Sequence, residues 1–174
     1  MELIRCRSSQ FEEIADFYKY VIDNTPNMEQ YGRWVYGQHP TDEMILSYVN
    51  SGYMYYVEDQ RKIIAAVALT PFQTSDYHEA AWSADLDDDE VLVVHILCVD
   101  PKLQGTGVSK RIMDSVIELA GSMNMKAVRL DALCCNEPAK RLYEKCGFTK
   151  VGTQNWYADN TGWIDFCLYE YVLK

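Results

Sequence analysis

Positive charge is the scarcest resource of this 174-residue chain: 16 Lys and Arg stand against 26 Asp and Glu, a formal net charge of −10. A field of that sign repels polyanions and anionic bilayers, so neither nucleic acid nor a membrane is expected as a partner. Apolar runs are also short, none approaching the ~18 residues of a membrane span. The opening MELIRCRSSQFEEI lacks the apolar core and small-residue cleavage site of a secretory leader. Together these absences predict a cytoplasmic protein. Cys6, Cys98, Cys134, Cys135, Cys146 and Cys167 contain no C-x-x-C pair. Neither a zinc site nor a disulfide framework is therefore expected, and the six are read as reduced thiols packed as small apolar groups. Internal repeats, polar tracts and linkers are missing too, which argues for one domain over residues 1–174.

What is present suits a packed core. Hydrophobic residues make up 48% and charged residues 24% of the chain, and a chain of this length buries about two thirds of its unfolded surface. The charge is unevenly spread. Between Asp100 and Lys150 nine Lys and Arg face six Asp and Glu, whereas the remainder carries seven against twenty. One positive segment thus sits in an acidic protein.

Hydrophobic periodicity outlines the elements. ELIRCR alternates as a short strand; Ser9 and Glu12 have capping-box spacing before a helical stripe from Phe11 to Ile22. TPNMEQYGRWVYGQHPTD reads as irregular, followed by a helix from Asp42 to about Ser51. Tyr53–Val57 and Ile63–Leu69 form a predicted hairpin, and Thr70–Glu90, with its Asp85–Glu90 charge run, a solvated connection. VLVVHILCV (Val91–Val99) is the clearest strand. A helix to about Gly121, the strand AVRLDAL, a short helix ending near Gly147 and two aromatic strands complete the chain. Strands interleaved with helices and a terminal hairpin indicate an α/β (α+β) fold, a mixed sheet with helices on its faces.

The stretch after the central strand, QGTGVSKR, raises a question of charge. Lys110 and Arg111 crowd the positive end of a helix dipole, and Gly105 and Gly107 leave the helix-start N–H groups open to a visitor. An anion in the turn would account for both, and so on the turn alone would an ordinary tight turn with solvated cations. A Walker loop and a dinucleotide fingerprint are excluded by the glycine spacing. Further on, Asn136, Ala139 and Tyr143 share one helical face, Asn136 as a cap, Ala139 as a gap and Tyr143 as a phenol. Taken singly, Tyr143 reads as core packing.

Together the two segments resemble the GNAT superfamily of N-acetyltransferases. The likeness runs from about Val91 to Gly152: strand, then Gln104, Gly105, Thr106, Gly107 and Val108 on the pattern [QR]-x-x-G-x-[GA], then N-x-x-A-x-x-x-Y-x-x-x-G-F. Ser109 stands where that pattern has its last small residue. The preceding strand, helix, helix, strand, strand order and the final strand pair are those the superfamily's fold requires, a mostly antiparallel central sheet. The resemblance implies acetyl-CoA as co-substrate and no metal. It implies that the backbone of Leu97, Cys98 and Val99 pairs with the pantetheine arm, that amides from Gly105 through Ser109 to Lys110 hold the pyrophosphate, that Asn136 contacts the pantetheine or phosphate region with Ala139 allowing close approach of the cofactor, and that Lys140 reaches toward the nucleotide phosphates. Tyr143 would then be the general acid that protonates the departing thiolate, and transfer would run by direct attack of an amine without an acyl-enzyme, so Cys98 and Cys134 are not nucleophiles.

The base is open. His95, two residues before Leu97, is expected to titrate near neutral pH as a base would, against a satisfied core histidine as the alternative; Glu90 is its rival. His39 and His78 are read as surface groups. For the acceptor, a primary amine of a small molecule or peptide, the acidic stretch Asp85–Glu90 and the rings of Trp34, Tyr77, Trp82 and Trp156 would attract a cation. The aromatic terminal strands offer a surface for a homodimer. A module that binds acyl-CoA without turnover is the competing expectation.

Overall fold

A computed structural model describes all residues from Met1 to Lys174. Its centre is one seven-stranded sheet in the order β1-β2-β3-β4-β5-β7-β6. The strands are β1 (Ile4–Arg5), β2 (Met54–Asp59), β3 (Lys62–Thr70), β4 (Val91–Val99), β5 (Ala127–Leu133), β6 (Thr149–Ala158) and β7 (Gly162–Val172). All neighbours are antiparallel except β4 and β5. This is the mixed, mostly antiparallel sheet that the sequence predicts.

Four helices cover the faces: α1 (Phe11–Asn24), α2 (Asp42–Asn50), α3 (Val108–Ser122) and α4 (Glu137–Lys145). Alternation along the strands sorts the core into two layers. Leu92 and Val94 of β4, with Val128, Leu130 and Ala132 of β5, pack under α3 and α4 against Met113, Val116 and Tyr143. On the other face Ala66 and Ala68 of β3 meet Ile14, Tyr18 and Val21 of α1 and Ile45 and Val49 of α2. Helix starts follow local chemistry: Thr41 Oγ1 accepts from Met44 N–H at 3.1 Å before α2, and Asn136 Oδ1 accepts from Ala139 N–H at 3.2 Å before α4.

Two local expectations are corrected. Ser9 and Glu12 form no capping box, because a 3-10 turn over Ser8–Gln10 runs directly into α1; the reach-back comes from Gln10 Oε1, which accepts from Arg7 N–H at 3.0 Å. Cys134 and Cys167 are not reduced thiols but a disulfide, with Cα atoms 5.1 Å apart. Antiparallel pairing sets Ala132 opposite Cys167 and brings Cys134 beside that strand end, so two cysteines 33 positions apart in sequence meet without any short-range motif. Cys6, Cys98, Cys135 and Cys146 are free.

The parallel pair β4–β5 is the irregular place. It is in register only from Val91–Ala127 to Val93–Arg129, although β4 continues for six residues and β5 for four. On its other side β4 carries a bulge: Ala66 faces Cys98, but Ala68 faces His95, so β4 holds one residue more than β3 between those pairs. Ile96 takes φ +43°, in the left-handed region that β-branched residues avoid. Its carbonyl, turned out of the ladder, accepts from the buried Tyr18 hydroxyl at 2.8 Å.

The connection from β3 to β4 is less solvated than expected. It is pinned to the sheet by Arg129 of β5, whose side chain is 1% exposed and pairs at 2.8 Å with the equally buried Glu170 of β7. The same guanidinium donates to Gln73 Oε1 at 2.5 Å and to the Ala84 carbonyl at 2.7 Å, and it lies over the Trp82 ring at 4.4 Å. Glu170 also accepts from Ser83 through its backbone N–H at 2.9 Å and through its hydroxyl. Asp85–Glu90 stay at the surface, where Asp88 accepts from Gln73 and contacts His78.

Tyr18→Phe leaves the Ile96 carbonyl without a partner in the core and should cost about 1–3 kcal/mol in urea denaturation; Tyr20→Phe, which removes only a half-buried bond to Asp100, should cost clearly less. Glu170→Leu strands a buried guanidinium. A loss of about 3–5 kcal/mol is expected, with hydrogen exchange accelerated first across residues 72–90.

Candidate active site

Where β4 and β5 part, the gap opens into a cavity of about 270 Å³. Val94, His95, Ile96 and Leu97 of β4 form one margin and Asp131, Ala132 and Leu133 of β5 the other. Asn136, which caps α4, and Ala139 and Tyr143 within it line the cavity together, as their shared face predicts, and Trp34, His39, Met44 and Tyr48 close it from α2 and the loop before it. Gly32 and the β6–β7 hairpin, through Ala158, Asn160 and Phe166, complete the wall. The cavity thus reaches residues that pack on both faces of the sheet.

The glycine turn lies at the surface at the end of the same strand. A 3-10 turn, Pro101–Leu103, leads to Gln104, and Gly105 and Gly107 adopt φ of +78° and +80° before α3 starts at Val108. A Cβ at either glycine would meet no atom within 4 Å, so the turn is open. The N–H groups of Gly105, Gly107, Val108, Ser109 and Lys110 make no hydrogen bond within the chain, whereas Thr106 N–H is satisfied by the Leu103 carbonyl at 3.2 Å. Five free donors at a helix start are the feature a diphosphate needs. Lys110 reaches Asp114 at 2.8 Å on the exposed side of α3, and Lys140 donates to the Cys134 carbonyl at 3.0 Å and to Glu137 at 2.7 Å. Both cations are thus engaged within the protein. Beyond Val93 the edge of β4 that faces β5 carries no strand, which leaves the backbone of Leu97 and Val99 bare on that side, while Cys98 and Val99 pair with Ala66 and Ala65 on the other. The Cys98 thiol points into the core beneath α1, where burial raises its pKa.

Burial also sets the protonation of the cavity groups. Tyr143 is 8% exposed, and burial followed by the nearby Asp131 charge pushes its phenol far above the ordinary range. It is a proton carrier at any physiological pH. His95 departs from the near-neutral titration expected of it: burial, and secondarily His39, lower its pKa to about 4. Its tautomer follows from its neighbours. The single Thr70 hydroxyl proton goes to the Phe72 carbonyl at 3.0 Å, so at the 3.0 Å contact with His95 Nε2 the ring must donate. Nδ1 is left with the lone pair, and Tyr48 stacks on the ring at 5.7 Å between centroids.

His39, read as a surface group, instead forms cavity wall, edge-on to Trp34 with burial lowering its pKa. Glu90 lies away from the cavity, its carboxylate accepting from Asp87 N–H at 3.1 Å. Of the four rings assigned to the acceptor, only Trp34 lines the cavity; Trp82, Tyr77 and Trp156 stack on one another beneath it. None of Asp85–Glu90 reaches it. The carboxylate that does is Asp131, which sequence reasoning passed over inside AVRLDAL. A lone acid in a central strand was the available signal. Burial raises its pKa above the usual carboxylate value, opposed by the Tyr77 hydroxyl, which donates to Oδ1 at 2.8 Å.

Comparison with known proteins agrees with this geometry. The profile described as the Acetyltransferase (GNAT) family matches residues 10–148. The chain is similar to a mycothiol acetyltransferase of Propionibacterium freudenreichii, with 34% identity over 65 residues, 37% of this chain and 21% of that protein. It is similar to an N-acetylaspartate synthetase of Danio rerio, with 35% identity over 66 residues, 38% of this chain and 23% of that protein. The chain therefore spans about a fifth of the length of these relatives. In fold it resembles a GNAT-family acetyltransferase of Streptococcus agalactiae, with a TM-score of 0.76 at 15% identity over 99% of this chain and 95% of that one.

The His95 ring should titrate near pH 4 when followed by its NMR Cε1–H resonance. Because the unfolded chain takes up that proton near pH 6.5 and the folded chain only near pH 4, the stabilisation is complete above about 6.5 and is lost as pH falls toward 4. Wild type should therefore lose stability across that window more steeply than His95→Gln.

Proposed function

We propose, from the premise that this chain belongs to the GNAT family of acetyltransferases, that it transfers the acetyl group of acetyl-CoA to a primary amine of a small molecule or peptide. Acetyl-CoA supplies the activated thioester. The reading rests above all on one observation: five unpaired amides at the Gly105–Lys110 turn, open on the outside, stand at the end of a strand whose edge is bare. The turn would hold the diphosphate, with Gln104 at its entrance and Thr106 spanning the two glycines. The bare edge of the Leu97–Cys98–Val99 segment, with the backbone of Leu97 and Val99 free toward β5, would take the pantetheine arm, with Asn136 and Ala139 lining its inner end.

Tyr143 serves as the general acid. It sits at the inner end of the α4 face, stays protonated, and its hydroxyl has no strong partner in the chain to keep the proton from a leaving thiolate. His95, kept neutral by burial and oriented by its Thr70 contact, offers the Nδ1 lone pair to an N–H of the nucleophile on the opposite side of the gap. The Cys98 thiol is buried and Cys134 is oxidised, which supports direct attack by the amine rather than an acylated cysteine. Lys140 could leave Glu137 for a phosphate at small cost, since that bond is solvent-exposed.

Tyr143→Phe should lower kcat for thiol release from acetyl-CoA by roughly 10²–10⁴-fold while the Kd for CoA in calorimetry changes less than about threefold. Equal losses in both would remove the acid role. Tight CoA binding with no turnover over a broad amine panel would instead identify a binding module.

A further inference from the structure

Outside the residues used above, the cavity holds one charged group, and its setting is specific. Asp131 projects from β5 on the same face of the sheet as Arg129, and Oδ1 is fixed by the Tyr77 hydroxyl. Tyr77 is itself held between Trp82 and Trp156, at 5.2 and 6.0 Å between ring centroids. Oδ2 has no protein partner and lies at the wall of the cavity. Trp34 and Tyr48 present rings to the same space. Across it, Asn160 donates its amide to the Arg33 carbonyl at 2.6 Å, which leaves Oδ1 buried and unpaired. A carboxylate, an orphan carbonyl oxygen and aromatic walls form an acceptor-rich corner of the cavity. No Lys or Arg lines it. Such a site attracts a ligand that brings both N–H donors and positive charge.

We infer that Asp131 is the recognition and proton-accepting residue for the acetyl acceptor, and that this acceptor is a small, unbranched or aryl-bearing primary amine that enters as its ammonium ion. The inference deepens the proposed function and rests on it for the chemical step, though not for binding. The ammonium nitrogen sits between Asp131 Oδ2 and Asn160 Oδ1, with its carbon body against Trp34 and Tyr48. One ammonium proton passes to Asp131, which leaves the nitrogen lone pair free. The C–N bond then forms as the C–S bond breaks. As the amide forms the nitrogen sheds a second proton to His95 Nδ1, from which it returns to Tyr143 to replace the one given to sulfur, and the proton on Asp131 leaves to solvent. One amine cation and one thioester thus yield one amide, one thiol and one proton. The groups facing Asp131 are Tyr77 from the β3–β4 connection, Tyr48 from α2, His95 from β4 and Tyr143 from α4; none supplies a competing cation at neutral pH.

The test uses benzylamine and n-butylamine against benzyl alcohol and n-butanol, with Trp fluorescence and calorimetry for binding and thiol release for turnover. Wild type should bind each amine at least about tenfold more tightly than its alcohol, the size expected of a hydrogen-bonded charge pair. Asp131→Asn keeps the shape and the Tyr77 bond; it should abolish that preference and raise KM for the amines by about ten- to a hundredfold, with Kd for CoA unchanged. Tyr77→Phe leaves the carboxylate in place but unheld, and should produce a smaller loss. A cation preference that survives in Asp131→Asn, or wild type binding amines no better than alcohols, overturns the inference. Amine binding that depends on Asp131 in a protein that fails to bind CoA would sustain it while overturning the acetyl-transfer reading.

Discussion

The separation of β4 from β5 is the constraint on which the molecule's chemistry depends. Two parallel strands would ordinarily pair along their full length, since each unpaired N–H or carbonyl in a core carries a desolvation penalty. Here pairing stops after Val93 and Arg129, and the chain compensates elsewhere. The extra residue in β4 moves Ile96 into a left-handed conformation, and Tyr18 reaches up from α1 to satisfy the carbonyl that the bulge turns out. A strained β-branched residue is kept because its surroundings determine it fully. In return the sheet gains an opening through its middle, and a strand edge free to accept an extended ligand.

Around that opening the protein divides its labour by face. On one side the helix start at Val108 offers backbone donors, with charge supplied by the partial dipole, by the exposed Arg111 and by lysines already committed to Asp114 and Glu137. On the other, aromatic rings and acceptor atoms predominate. The buried Arg129–Glu170 pair contributes indirectly. By clamping Gln73, Ser83 and Ala84 it holds the β3–β4 connection on the sheet, which places Tyr77 where its hydroxyl meets Asp131. An ion pair of this kind is weak evidence for net stability, and its value here lies in fixing one loop geometry.

The sequence makes the frame legible and leaves its irregularities hidden, for a physical reason. Val91–Val99 is visible because a nearly continuous apolar run marks a strand covered on both faces, Ala127–Leu133 because apolar residues on one face alternate with Arg129 and Asp131 on the other, and the Asn136–Ala139–Tyr143 face because helical periodicity is local. The glycine turn is likewise carried by seven consecutive residues. The bulge at Ile96, the Cys134–Cys167 bond, the loop clamp and the tautomer of His95 each depend on partners dozens of positions away, which register decides and spacing does not. Asp131 belongs to both classes. Its presence in a strand is local information, but its meaning depends on Tyr77, 54 residues earlier. The same lack of register information misplaces the acceptor charges: an acidic run of five in a loop is more conspicuous than one acid in a strand, yet only the strand residue reaches the cavity.

Electrostatics in the cavity follow a single rule, that burial drives each titratable side chain toward its neutral form. Tyr143 keeps its proton, His95 remains uncharged down to about pH 4, and Asp131 is pulled toward protonation. Burial thus works against charge inside the cavity, in contrast to the ten net negative charges of the chain as a whole. The exterior field gathers cations, whereas the cavity selects among them by the cost of removing their water. In the proposed complex the charge of an ammonium beside Asp131 opposes the desolvation that raised the carboxyl pKa and so favours the carboxylate. On that proposal binding and ionisation are coupled at the one acid within the gap, and the proton that leaves the ammonium has a nearby acceptor whose proton affinity burial has raised.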